Sequence, residues 1–224
     1  MSVIKIKPMS GNHGQFLMFI GLVSLLVTIA LSHQWWAEIK LVLMFLGVVS
    51  VVCFFIGLVK KLEPEYSLLL TKEGIEYQHK YGKWQIQWLD IQRIGDVSIT
   101  VGLDKRTLPY VGIKLKNELP LVNSLSRRLA SRLPHEQRPL TTAAVIQNQL
   151  TIEQAQINFT PFVTSDKQEL KGPIAFCMHH VHALSVAYGY HIFIPASALD
   201  RPVNDFISLL NDCKRHTEQH PNDE

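Results

Sequence analysis

Cys177, His179, His182 and His191 are the residues in this sequence whose types could do chemistry within a short stretch. A thiolate and imidazoles can hold a metal ion, and an imidazole can move protons near neutral pH. Their spacing does not match the arrangements that do so reliably. His179 and His182 stand three apart, whereas a zinc-binding HExxH helix needs histidines four apart with a glutamate between them. No Asp or Glu lies between Gly172 and Leu199 to complete a ligand set. Cys53, Cys177 and Cys213 form no CxxC pair, and reduced thiols are the simpler reading. A nucleophile fares no better: there is no G-x-S-x-G elbow, and Cys177 lies only two residues from His179, which points the pair apart on a helix. No glycine-rich stretch fits a phosphate loop or a dinucleotide fingerprint. Neither a metal nor a cofactor is therefore expected. A membrane-bound enzyme or metal-dependent sensor using Cys177, His179, His182 and His191 stands as the alternative function.

Binding chemistry is better represented. Arg127, Arg128, Arg132 and Arg138 fall in and just after a stretch with helical periodicity. Beside a membrane anchor such a face could touch anionic headgroups, at about 1 kcal/mol per near-surface contact, or an acidic partner protein. A solvated face balanced by Glu136 is the plainer account of the same residues. Trp84 and Trp88, four apart in an alternating segment, share a face with Ile86 and are expected to pack in the core.

These side chains need elements to position them. Tyr66 to Thr71, Ile75 to Tyr81 and Trp84 to Trp88 read as three strands of a meander, with Gly74 available for a positive φ in the first turn. A short return strand near Asp90 to Gly95, then Val97 to Val101 and Tyr110 to Leu115, continue the β pattern, with a polar loop from Gly102 to Pro109. At Leu121 the period changes: Leu121, Leu125, Leu129 and Leu133 recur at helical spacing until Pro134 ends or kinks the element. Thr141 to Asn148 and Thr151 to Ile157 read as short helices, Asn158 to Lys171 as a loop, and Ala175 to Ala187 as a helix. A short strand from His191 to Ile194 and a final helix after Asp200, with Pro202 at its start, complete the chain.

Location is set further upstream. Phe16 to Ser32 and Leu41 to Val59 are uncharged runs of seventeen and nineteen residues, separated by eight. As helices rising 1.5 Å per residue, each can cross a hydrocarbon core of about 30 Å. Lys5 and Lys7 precede the first run, while Lys60 and Lys61 follow the second, so the lysine bias puts both ends in the cytoplasm. Trp35 and Trp36 in the intervening turn suit the membrane interface, as do Lys60 and Lys61. Neither run carries an ionisable side chain, which favours an anchor over a pore. Gly21, Gly47, Ser50 and Gly57 could let the two helices approach closely.

From Glu65 to Glu224 there are 17 Lys plus Arg and 17 Asp plus Glu, a difference of zero. That balance gives no electrostatic support for nucleic-acid binding. The partners expected are the phospholipid bilayer and a membrane or cytoplasmic protein.

Residues 66 to 94, YSLLLTKEGIEYQHKYGKWQIQWLDIQRI, carry a resemblance. A strand, T-x-x-G-I, strand pattern (Thr71, Gly74, Ile75) followed by I-x-W-x-x-I (Ile86, Trp88, Ile91) resembles bacterial pleckstrin-homology-like domains found behind paired membrane helices, a likeness that spans residues 66 to 115. The stretches GKWQIQW (82 to 88), EQRPL (136 to 140) and IPASALDRP (194 to 202) make the whole chain similar to a gammaproteobacterial family of inner-membrane proteins, domain of unknown function 2982. The resemblance implies a bacterial inner-membrane location and a pleckstrin-like sheet, and it implies no activity. The expected fold is α+β: a tail at 1 to 14, a transmembrane helical hairpin at 15 to 61, and a cytoplasmic domain at 65 to 224. That domain is expected to be an antiparallel sheet or small barrel packed with helices. The expected function is a non-enzymatic interaction or scaffold module tethered at the cytoplasmic membrane face.

Overall fold

The computed structural model of the protein describes residues 3–8, 14–61, 64–101 and 104–219. Two units result, one spanning Met9–Glu65 and the other combining Met1–Pro8 with Tyr66–Glu224.

The first unit is α1 (Gly14–Lys61), a helix broken where Trp35 (φ −122°, ψ 15°) and Ile39 (φ −127°, ψ 33°) leave helical values. Its two arms face each other. Ser50 Oγ donates to Ser24 Oγ at 2.8 Å, a Cβ on Gly21 would meet the Phe54 backbone nitrogen at 2.6 Å, and one on Gly47 would touch the Thr28 methyl. Buried positions recur every seventh residue, at Gly21 and Thr28 on one arm and at Leu43, Ser50 and Gly57 on the other. Small residues on that seam permit the close approach that packing in lipid requires. Outside it the arms expose large apolar side chains such as Leu41 and Phe45. Phe16–His33 and Glu38–Val59 are both long and apolar enough to cross a membrane.

The second unit is α+β. In its first sheet β1 (Ile4–Ile6), β2 (Leu68–Leu70), β3 (Gly74–His79) and β4 (Gly82–Gln87) are antiparallel neighbours in that order. Ile4–Ile6 lies in the stretch read from sequence as a tail. Its three residues are too short a run to signal a strand, and the pairing partner lies beyond both apolar arms. Gly74 does not use a positive φ. It permits a close approach instead, because a Cβ there would fall 2.0 Å from the Ile86 carbonyl oxygen. The left-handed turn glycine is Gly82, at φ +139°. Trp88 leaves the strand for a 3-10 turn at Trp88–Asp90, yet remains buried, its indole Nε1 donating to the Thr71 carbonyl at 3.0 Å.

The chain then forms β5 (Ile91–Val101) and β6 (Asp104–Leu115), a long antiparallel hairpin with register shifts between Ile91 and Arg93 and between Asp96 and Ser98. The loop expected from Gly102 to Pro109 is strand from Asp104 onward. Residues 104–107 are exposed, so backbone pairing holds them without any apolar alternation that a sequence could display.

The single helix expected from Leu121 is two, α2 (Leu119–Ser124) and α3 (Arg127–Glu136). Leu125 is extended, and Ser126 caps α3 by accepting from the Leu129 N–H, a local bond that outcompetes helix continuation. Pro134 sits inside α3 without ending it. Next come α4 (Arg138–Ile146), two-residue strands β7 (Phe162–Val163) and β8 (Glu169–Leu170), and α5 (Gly172–Tyr188), closed by Gly189 at φ +76°. The helix expected at Thr151 to Ile157 is absent. Thr151 and Gln154 exchange side-chain to backbone hydrogen bonds, a capping box that no helix follows. Finally β9 (Ile192–Pro195) pairs with β6, giving a second sheet of order β5-β6-β9, and α6 (Val203–Gln219) packs on β5 and β6. Trp84, Ile86, Ile75, Trp88 and Ile6 share one continuous core with α2, α3, α5 and α6.

Candidate functional site

Helix α3 buries Leu129 and Ala130, and so turns Arg127, Arg128 and Arg132 outward. The Arg132 guanidinium lies 4.9 Å from the Tyr81 ring centroid, a cation–π contact that fixes its direction. Glu136, the acid expected to balance this face, is engaged elsewhere: its carboxylate is 3.4 Å from His79 Nε2. Among the described residues none of Arg127, Arg128, Arg132 and Arg138 is ion-paired. Arg138 is exposed at the start of α4 and belongs to a different feature.

That feature is a cleft of about 860 Å³ walled by the end of α3, by α4 and α5, and by residues within 150–158. Its polar lining includes Arg138, Glu153, Thr141 and the histidines His135, His179, His180 and His182, and its apolar lining includes Val145, Ile146, Phe176, Ala183 and Val186. Two buried polar atoms of this lining, Thr141 Oγ1 and His180 Nε2, have no hydrogen-bond partner. Burial, with a smaller push from His135, lowers the His180 pKa to about 4, so its ring is neutral at pH 7. The rim exposes apolar side chains that a solvated surface usually lacks, with Ile146 75% and Ile152 70% exposed.

The sequence spacing of His179 and His182 holds up as a shared direction: both line the cleft, and both rings lie near Phe162, at 5.1 and 6.4 Å between centroids. His179 Nε2 is also within 3.0 Å of the Thr160 carbonyl. Cys177 points into the core, where burial pushes its thiol up to about 12. His191 Nδ1 accepts the Leu115 N–H at 3.0 Å, which puts the neutral ring's proton on Nε2, 3.5 Å from Glu118 Oε1. Burial lowers the His191 pKa, Lys114 and His182 adding to it, and raises that of Glu118 against the pull of His182. Among the described residues no three His, Cys, Asp or Glu side chains are arranged to hold a metal ion.

Trp84 and Trp88 are both core residues, as their alternation implied. Trp35 and Trp36 are exposed at the break in α1. Lys60 and Lys61 end α1, and their side chains lie outside the described residues. Sequence reasoning passed over His135, Thr141 and His180 in the cleft and Glu118 beside His191. The adjacent pair His179–His180 was a visible signal. What hid the rest is that α3 and α4 meet α5, and Glu118 meets His191, only in the tertiary structure.

Compared with known proteins, residues 68–216 match a family model described as "Protein of unknown function (DUF2982)". No curated protein and no solved structure matches the chain.

Proposed function

We propose that this chain, which belongs to the DUF2982 family of proteins of unknown function, is a non-enzymatic interaction module tethered at the cytoplasmic face of a bacterial inner membrane. The observation that carries this reading is the pairing of β1 with β2. β1 precedes the apolar arms and β2 follows them, yet Ile4, Lys5 and Ile6 lie in register with Leu70, Leu69 and Leu68. A hairpin that crosses a bilayer between two paired strands must return to the side it left. Lysines at both flanks support the cytoplasm as that side. Tethering raises the effective concentration of the domain toward anything else at the membrane.

A pleckstrin-like arrangement is part of the same reading. It is supported by a four-stranded and a three-stranded antiparallel sheet followed by a terminal helix packed on the second. The contact face is α3, where Arg127, Arg128 and Arg132 are exposed and not ion-paired among the described residues, so their charge is available to anionic headgroups or an acidic protein. Flotation of residues 1–8 joined by a short linker to 64–224, with vesicles containing or lacking anionic lipid, tests the face. Binding should require anionic lipid and be lost in an Arg127→Glu/Arg128→Glu/Arg132→Glu variant. Equal binding by both proteins would remove the lipid contact from the proposal.

A further inference from the structure

We infer that the end of the α+β unit formed by the β3–β4 turn and the first turn of α3 rests on the bilayer that the chain itself crosses, its cations on the phosphates of anionic headgroups. The inference rests on the proposed tether and arginine face, takes lipid rather than an acidic protein as the partner, and adds Lys80 and Tyr81 to the contact.

Strand register is the first argument. Leu68 pairs with Tyr77 and Tyr77 with Trp84, whereas Leu70 pairs with Ile75 and Ile75 with Ile86. Ile6, opposite Leu68, therefore lies at the same end of the first sheet as Gln78 and Lys83. Gln78 ties that end to the segment arriving from α1: its N–H donates to the Ser67 carbonyl at 2.7 Å and its Nε2 to the Tyr66 hydroxyl at 3.1 Å. Lys80 and Tyr81 follow directly, so both segments that lead to α1 leave the unit beside this turn. Only five residues carry the chain from Lys61 to Tyr66, about 18 Å when fully extended. Chain length alone thus keeps this end within reach of the headgroups that a membrane-spanning α1 would meet.

The second argument is that this end is cationic and has its charge free. A Cβ on Gly82 would collide with Ser126 Oγ, and the Ser126 N–H donates to the Lys83 carbonyl at 3.2 Å, which seats the start of α3 on the turn. Lys80 Nζ and the Arg132 guanidinium lie 5.2 and 4.9 Å from the centroid of the same Tyr81 ring. Lys80, Arg127, Arg128 and Arg132 are all exposed, and among the described residues none of them is ion-paired. Two acids of the same surface are engaged, Glu76 with Lys83 at 3.1 Å and Glu136 with His79 at 3.4 Å.

Thirdly, Arg127 and Arg128 open α3, whose first turn holds no acid. Two cations there add to the positive end of the helix dipole, and a phosphate lying across them relieves both.

The test uses the full chain, with Cys53, Cys177 and Cys213 replaced by serine, in nanodiscs of phosphatidylcholine with or without phosphatidylglycerol and containing a headgroup-nitroxide lipid. A bimane is attached at Asn123→Cys, just before α3, or at Glu73→Cys, in the turn at the far end of the sheet; both positions are exposed. With phosphatidylglycerol present, the nitroxide should quench the Asn123→Cys probe and spare the Glu73→Cys probe. Lys80→Gln and Arg128→Gln should each lower the ratio of docked to undocked molecules, read from that quenching, about fivefold. Salt at about 1 M, where the Debye length is about 3 Å, should abolish it. Stronger quenching of the Glu73→Cys probe, quenching that ignores phosphatidylglycerol or both substitutions, or no quenching of the Asn123→Cys probe would each overturn the inference. The last result, with the linked domain still floating on anionic vesicles, would leave the arginine face standing and remove only its docking in the full chain.

Discussion

Ile6 faces Leu68 in an antiparallel ladder although the whole of α1 lies between them, and both side chains are fully buried. The Ser67 N–H closes the same junction by donating to the Ile6 carbonyl at 2.9 Å. The sheet is thus assembled from segments that flank α1 on both sides in the sequence.

Removing the Ile6 side chain should therefore destabilise a domain that is otherwise distant in sequence. Ile6→Ala is expected to cost about 2–4 kcal/mol, in line with other buried isoleucine truncations. Urea unfolding of residues 1–8 linked to 64–224 would measure it. A fragment beginning at residue 65 should show a comparable loss against the linked form, and equal midpoints for the two would mean that β1 contributes nothing.

His180 should make the domain acid-sensitive. Its pKa is about 4 in the folded chain and about 6.5 when free. Between those values the unfolded chain binds more protons, so this contribution is complete above about pH 6.5 and declines as pH falls toward 4. Its size is on the order of 2 kcal/mol after allowance for partial solvent access. Thermal unfolding followed by tryptophan fluorescence at pH 7.5 and 4.5 should show a smaller pH difference in His180→Leu than in the parent. An unchanged difference would assign the acid sensitivity to other groups.

Within the hairpin, a Cβ added at Gly21 would fall 2.6 Å from the Phe54 backbone nitrogen. A Gly21→Ile side chain must displace the Phe54 backbone, which would open the seam that Ser24 and Ser50 share. In a Cys53→Ser background, Ser24→Cys with Ser50→Cys should form a disulfide in membranes on mild oxidation. Adding Gly21→Ile should suppress that crosslink, and persistence at full yield would show that the arms do not meet there.

Trp88 anchors the turn between the two sheets through its bond to the Thr71 carbonyl. Trp88→Phe keeps most of the apolar bulk but leaves that carbonyl without the indole donor, for an expected loss of about 1–3 kcal/mol. Chemical denaturation of the linked domain would read it, with a midpoint equal to the parent's as the contrary result.

Much of this structure was legible in the residues themselves. The alternation of Ile75 and Tyr77, and of Trp84 and Ile86, marked strands whose buried faces follow that pattern. The seam residues Gly21, Gly47 and Ser50 were recognisable by size alone. Illegible features share one physical cause, which is that tertiary partners supply what local sequence lacks. β1 has three residues and a partner beyond α1, and the exposed ribbon at 104–107 is held by the backbone of β5. Ser126 interrupts a helix whose leucine spacing looked continuous, its hydroxyl accepting the Leu129 N–H at the start of α3. The cleft was half visible: His179 and His182 share it as their spacing suggested, whereas His135 and Thr141 reach it only because α3 and α4 lie beside α5.

The account turns on both flanks of α1 lying on one side of the membrane. In a variant with Cys53, Cys177 and Cys213 replaced by serine, single cysteines at Val3, His33 and Asp166 can be probed in spheroplasts with a membrane-impermeant thiol reagent. The account predicts that His33→Cys labels in intact spheroplasts, while Val3→Cys and Asp166→Cys label only after the membrane is permeabilised. Labelling that puts Val3→Cys and Asp166→Cys on opposite sides would contradict it.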